Sequence, residues 1–158
     1  MATHHLSRAL HQRLSVEVYD LTTRGRIEVA NKIETARLMG DLSENGDYHA
    51  AKDEQGHMEG RIRQLEHLLH TDNYLVIEPG VDGSIRPGTT VAIVYDGDSD
   101  DMAERYLIGH PEEETAHEVM SPQSPLGSAL LGRAAGDVVE YQGPRGMLKV
   151  KVLEVEQG

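Results

Sequence analysis

Gly40-Asp41-Leu42-Ser43-Glu44-Asn45-Gly46-Asp47-Tyr48 is the stretch that fixes how the rest of the chain folds. Downstream of it, Tyr48, Ala51, Gln55, Met58, Ile62, Leu65 and Leu69 recur at alternating steps of three and four, the a/d seam of a coiled coil. Upstream, helical patterning runs from about Ser7 to Met39, with Leu6, Leu10 and Leu14 one turn apart and Leu21 a heptad beyond Leu14. Gly40 supplies a helix C-cap, because glycine takes left-handed backbone angles cheaply. Ser43 and Asp47 are candidate N-caps for the second helix. A turn this short makes the two helices antiparallel neighbours. The acids Asp41, Glu44 and Asp47 then sit at the tip of a hairpin.

The first arm is less regular. Thr22-Thr23-Arg24-Gly25 is a poor helix former and predicts a kink, after which Ile27, Ala30 and Ile33 resume the pattern in a shifted phase. Past Leu69 the period changes. Tyr74–Ile77 is β-rich and is followed by Pro79-Gly80, where a domain boundary is expected. Short, partly alternating runs bounded by Gly, Pro, Asp or Ser come next at Thr89–Tyr95, Arg105–Ile108, His117–Met120, Asp137–Tyr141 and Met147–Val155. Asp96–Asp101 and Gly143-Pro144-Arg145-Gly146 read as turns, the second closing a hairpin. Ser124 caps one short helix with Pro125 at its first position. The expected fold is α+β in two domains: an antiparallel coiled-coil hairpin over 1–78, then a small antiparallel β-sheet domain with one short helix over 79–158.

Composition narrows the function classes. Only 38% of residues are apolar, and Phe and Trp are absent, which disfavours one large core. The formal net charge is -12, the opposite of what an autonomous nucleic-acid binder carries. Up to Glu78 there are 9 basic and 13 acidic residues, and beyond it 6 and 14. If the chain acts on nucleic acid, a partner must hold it, and the more acidic second half suits a basic protein surface. Acidity that merely keeps the protein soluble is the plainer alternative. Without cysteine there is no thiolate chemistry or disulfide. No apolar run approaches the ~20 residues of a membrane span, and Met1-Ala2-Thr3-His4-His5 lacks a signal-peptide core, so a cytoplasmic location is the default.

Each candidate site has a plain reading beside the chemical one. A heptad seam is usually only structural. Two carboxylates three residues apart can converge on Mg²⁺, which takes few protein carboxylates and fills its sphere with water and phosphate oxygens, but solvated acids near a helix N-terminus look the same. His67 with His70, and His4 beside His5, lack a third ligand at a known spacing and are expected at the surface. Glu112-Glu113-Glu114 reads as a solvated loop. Asp96, Asp98 and Asp100 begin like a calcium loop, but the twelfth position is Leu107, not glutamate.

The block from Ala36 through Gly40-Asp41-Leu42-Ser43-Glu44-Asn45-Gly46-Asp47-Tyr48 to Lys52, continued by Glu54–Ile62, resembles the signature of the Gre family of bacterial transcript cleavage factors. Ser121-Pro122-Gln123-Ser124-Pro125-Leu126-Gly127-Ser128-Ala129-Leu130-Leu131-Gly132, followed by Gly136-Asp137-Val138-Val139, resembles that family's second motif. Together they cover nearly the whole chain. Gly46 stands where alanine is usual and Asp47 where glutamate is more frequent, and the first helix matches less well than the second.

The resemblance implies a coiled coil plus a domain like the FK506-binding proteins, and an accessory factor rather than an enzyme. Its implied partners are RNA polymerase, whose secondary channel the coiled coil enters, and the backtracked RNA held there. Asp41 and Glu44 match the tip acids that help hydrolyse the RNA 3′ end. The factor has no cofactor of its own and shares Mg²⁺ with the polymerase. Arg37, Asn45, Tyr48 and Lys52 match residues that position the tip or contact RNA and polymerase, and Ser124, Pro125 and Leu126 match the docking motif. A monomer is expected. The alternative is a relative that occupies the channel and inhibits or modulates transcription without stimulating cleavage. A prolyl isomerase is disfavoured, because the second domain offers only Tyr95, Tyr106 and Tyr141 to line an aromatic pocket.

Overall fold

A computed structural model describes residues 3–78 and 82–157. The expected junction at Pro79-Gly80 lies outside the described residues. The chain divides into two compact units, one of residues 11–74 and one of residues 3–10 with 75–157. The N-terminal segment therefore goes with the sheet unit and not with the hairpin.

The hairpin unit is a pair of long antiparallel arms. Its first arm is α1 (Arg8–Asp20, from residue 11 on), a π turn (Leu21–Gly25) and α2 (Arg26–Arg37), and its second is α3 (Gly46–Leu68). Ala51, Ile62 and Leu65 are buried in the seam as the heptads require, with Gln55 and Met58 half-buried. At its base Leu68 is buried, whereas Leu69 is the C-cap and half-buried.

The expected kink is a π turn, and it corrects the phase of the first arm. From Leu14, Val18, Leu21 and Gly25, an uninterrupted heptad would turn Glu28, Lys32 and Thr35 toward α3. One extra residue in the turn delays the seam by one position, to Val29, Ile33 and Ala36. Val29 and Ala36 are buried and Ile33 is half-buried, while Ile27 is 63% exposed and Ala30 is exposed too. The π turn thus keeps charged residues out of the seam. Thr22 and Thr23 stabilise it, their hydroxyls donating to the Val18 carbonyl at 2.8 Å and the Tyr19 carbonyl at 2.7 Å. Gly25 leaves room for Met58, whose sulfur would lie 3.1 Å from a β-carbon there. Arg61–Glu17 at 2.7 Å, Arg26–Glu59 at 3.0 Å and Lys32–Glu54 at 3.0 Å cross between the arms. The Lys32–Glu54 and Arg26–Glu59 pairs are largely exposed and contribute little each, ~0–1 kcal/mol, while Arg61–Glu17 is half-buried at the seam's edge; the apolar seam carries the packing.

In the other unit, β1 (His4–Leu6) pairs with β2 (Tyr74–Val76, from residue 75 on), and Ile77 N–H donates to the Leu6 carbonyl at 2.8 Å. Five strands, β3 (Thr89–Tyr95), β4 (Glu104–Ile108), β5 (Glu118–Met120), β6 (Val138–Gly143) and β7 (Gly146–Gln157), form a sheet in the order β5-β4-β3-β7-β6. The β6–β7 hairpin closes at Gly143 and Gly146 as expected. The sheet is mixed rather than wholly antiparallel, because β5 runs parallel to β4. The loop 109–117 carries the chain back to the start of β4, and Gly109 N–H then bonds the Met120 carbonyl at 3.0 Å. Leu126 and Leu130 of α4 (Pro125–Leu130) pack on Val91, Ile93, Ile108, Val139, Val150 and Val152 to form the core. Among the described residues no helix is long and apolar enough to cross a membrane.

Candidate functional site at the hairpin tip

The tip is built by how two helices stop and start. α2 ends at Arg37, Met39 N–H still bonds the Ala36 carbonyl at 3.1 Å, and Gly40 takes φ 129°, which lets the chain turn away. The N-cap of α3 is neither Ser43 nor Asp47 but Asn45. Its Oδ1 accepts from Tyr48 N–H at 3.0 Å, and its Nδ2 donates across to the Ala36 carbonyl at 2.6 Å. All three residue types cap well, and the tie is broken by reach, since the Asn45 amide both accepts within its own helix and donates to the other.

Residues 37–44 are all exposed. Met39, Asp41, Glu44, Asn45, Gly46 and Asp47 line one shallow recess, so the structure brings Asp41 and Glu44 to a common surface together with Asp47. Ser43 donates to Asp41 Oδ1 twice, from its N–H at 3.0 Å and its hydroxyl at 2.9 Å. These two bonds, the backbone one first, hold the Asp41 carboxyl below its ordinary range, and both fall on Oδ1. No salt bridge reaches Asp41 or Glu44 among the described residues, although Arg24, Arg26, Lys32 and Arg61 on the same hairpin all pair with acids. Around the tip, Arg37 lies 3.7 Å from Glu34, Lys52 donates to Gln55 at 3.0 Å, and Tyr48 is half-buried with its ring edge-on to His49.

No group of three or more His, Asp or Glu side chains among the described residues is arranged to hold a metal ion. The histidines have other company. His11 Nε2 lies 3.0 Å from the Tyr74 hydroxyl, and the His4 ring is edge-on to His110.

The second motif is a folding device. Ser124 Oγ accepts from Gly127 N–H at 3.1 Å and donates to the Ser121 carbonyl at 2.7 Å, Pro125 is exposed, and Leu126 is in the core. Sequence reasoning missed Gly127, where a β-carbon would lie 2.0 Å from the Ser121 oxygen. The tyrosines do not make one aromatic pocket. Tyr95 and Tyr106 line different shallow recesses, Tyr95 is hydrogen-bonded to Tyr141 at 3.1 Å, and Tyr106 to Glu104 at 2.5 Å.

A helical hairpin with exposed acids at its tip, followed in the chain by a small mixed-sheet unit with one short helix, is the class of fold that these residues build. Comparison with known proteins gives the family. Residues 4–72 match the family model described as transcription elongation factor, N-terminal, and residues 80–157 the one described as transcription elongation factor, GreA/GreB, C-term. The chain is 44% identical over 153 residues to the transcription elongation factor GreA of Streptomyces avermitilis, covering 96% of this chain and 92% of that one. It is 42% identical over 152 residues to GreA of Streptomyces coelicolor, with the same coverage. The crystal structure of GreA factor homolog 1 of Thermus thermophilus overlays with a TM-score of 0.44 at 24% identity, covering 98% and 99% of the two chains. This chain belongs to the GreA/GreB family of transcription elongation factors.

Proposed function

We propose that the chain inserts its hairpin tip into the secondary channel of RNA polymerase and stimulates the polymerase's own hydrolysis of backtracked RNA 3′ ends, rescuing arrested complexes. The observation that carries this is the pair Asp41 and Glu44, exposed, without ion-pair partners among the described residues and lining one recess at the end of the hairpin. Family membership supports it, and so does reach: the 23 residues of α3 extend about 35 Å. The chain itself is an accessory factor.

The tip fits Mg²⁺ as part of a larger coordination sphere. Two carboxylates are hard oxygen donors of the kind Mg²⁺ accepts, and they are too few to hold it alone. A Mg²⁺ bound in the polymerase would neutralise charge on the phosphate oxygens and acidify the attacking water. Asp41, with Oδ1 tied to Ser43, would supply its other oxygen as a ligand. Glu44 is free to orient the water and accept its proton. The acidic character of the chain is compatible with this role because the polymerase holds the RNA. Arg37, Tyr48 and Lys52 flank the tip and supply contacts to RNA or polymerase. In the second unit, the turn of Ser124, Pro125 and Leu126 docks on the channel rim, with Pro125 offering surface and Leu126 supporting it from the core.

The test is a stalled, backtracked complex of a cognate polymerase carrying 3′-labelled RNA, given the protein and Mg²⁺. Release of short 3′ fragments is expected, falling about 10²-fold or more in Asp41→Ala and Glu44→Ala. Intact RNA with slowed elongation would instead make the protein a channel blocker.

A further inference from the structure

We propose that Asn45 is a positioning residue for the tip carboxylates, acting through the backbone and not by touching RNA or polymerase. This deepens the proposed function and rests on it. Residues 37–44 are all exposed, so no buried side chain holds the loop that carries Asp41 and Glu44. Asn45 follows Glu44 directly and is half-buried. Its Oδ1 is occupied by Tyr48 N–H at the start of α3, and its Nδ2 reaches the Ala36 carbonyl in the last turn of α2 at 2.6 Å.

One side chain thus staples the two helix ends together at the base of the acid-bearing loop. Its oxygen and one amide hydrogen are already engaged inside the chain, and both bonds would have to break for the side chain to swing out to an outside partner. Bracing of this kind matters because carboxylates act on a reacting phosphate only when held in place, and a free loop must be ordered at each encounter.

The two bonds can be separated. Aspartate is as good an N-cap as asparagine, so Asn45→Asp keeps the bond to Tyr48 and loses the donor to Ala36, while Asn45→Ala loses both. Cleavage of backtracked, 3′-labelled RNA is followed against factor concentration for the full-length chain, both variants and Asp41→Ala. Backbone ¹⁵N relaxation of residues 41–44 is measured on the free proteins.

For Asn45→Asp, the maximal cleavage rate is expected to fall about tenfold, with the half-maximal concentration unchanged within about twofold. Residues 41–44 are expected to become more mobile, and the melting temperature to fall by less than in Asn45→Ala, because the bond to Tyr48 is kept. Asn45→Ala is expected to show the same loss of rate and also to melt lower. A raised half-maximal concentration at full maximal rate in Asn45→Asp would make Asn45 a contact residue and overturn the proposal. So would a parental rate and parental relaxation in that variant while Asp41→Ala is inactive. Full cleavage by Asp41→Ala would remove the proposed function itself, and the role of Asn45 with it.

Discussion

Gly127 and Gly56 both lie in helices, yet substitution should move stability in opposite directions. At Gly127 a β-carbon meets the Ser121 backbone oxygen at 2.0 Å and Ser124 Oγ at 2.9 Å, so the turn before α4 must open to admit it. Gly127→Ala is expected to cost about 2 kcal/mol or more in urea unfolding. At Gly56, in the interior of α3, nothing lies within 4 Å, and Gly56→Ala is expected to gain about 0.5–1 kcal/mol in the same measurement. A third expectation concerns Tyr95, whose pKa is pushed up to about 12 by the hydrogen bond with Tyr141 and by burial. A phenol raised on folding stabilises the fold below its unfolded value near 10 and loses that contribution as pH rises toward 12. Tyr141→Phe should bring the Tyr95 transition back toward 10 in a phenolate absorbance titration and abolish that part of the alkaline loss of stability. An unmoved transition would show that the hydroxyl pair is not what holds it.

The π turn behaves as a one-residue insertion into an α-helix, which makes a sharp forecast for deletions. Removing Thr23, which is exposed, should let Leu21–Gly25 relax to α geometry and still bring Val29, Ile33 and Ala36 onto α3, at a cost of about 1 kcal/mol or less. Removing Asn31 from inside α2 should rotate the remainder of that helix by about 100° and take Ile33 and Ala36 out of the seam, costing about 3 kcal/mol or more. Thermal melts followed by far-ultraviolet circular dichroism separate the two. Two equally destabilised deletions would mean that the turn is not a phase corrector. The contrast between the two arms marks how far the chain alone could be read. The seam of α3 was legible because Ala51, Ile62 and Leu65 repeat without interruption, and the two halves were legible from the change of period after Leu69. The phase of α2 was not, since Thr22-Thr23-Arg24-Gly25 announces a weak helix but not whether it bends or gains a residue. Nor was the parallel pairing of β5, because Glu118–Met120 carries no local mark of which way its partner runs. At the tip Asp41 and Glu44 were visible as residues, while Asn45 as the staple depended on a carbonyl nine positions away.

Charge bears on the proposed mode of action at the scale of the whole chain. With a formal net charge of -12 and Arg24, Arg26 and Arg61 of the hairpin committed to Asp20, Glu28, Glu59 and Glu17, the chain has little to offer phosphate by itself. Two exposed carboxylates are equally poor at retaining Mg²⁺ once water competes for it. The isolated protein is therefore expected to bind single-stranded RNA no more tightly than about 10⁻⁴ M at physiological salt, to show no saturable Mg²⁺ site at micromolar concentrations, and to leave RNA uncut in the presence of Mg²⁺. The same protein added to a backtracked polymerase complex should stimulate cleavage by the polymerase, and raising the salt should weaken its action by lowering association if its acidic charge steers it to a basic partner surface, over a Debye length that shortens with ionic strength. Fluorescence anisotropy with a labelled oligoribonucleotide, titration calorimetry with MgCl₂ and the cleavage assay at two salt concentrations test these points separately. Tight RNA binding by the free chain would show that it brings its own substrate contact. A cleavage rate indifferent to salt would show that association does not depend on charge, leaving the acidity of the second unit without a part in docking.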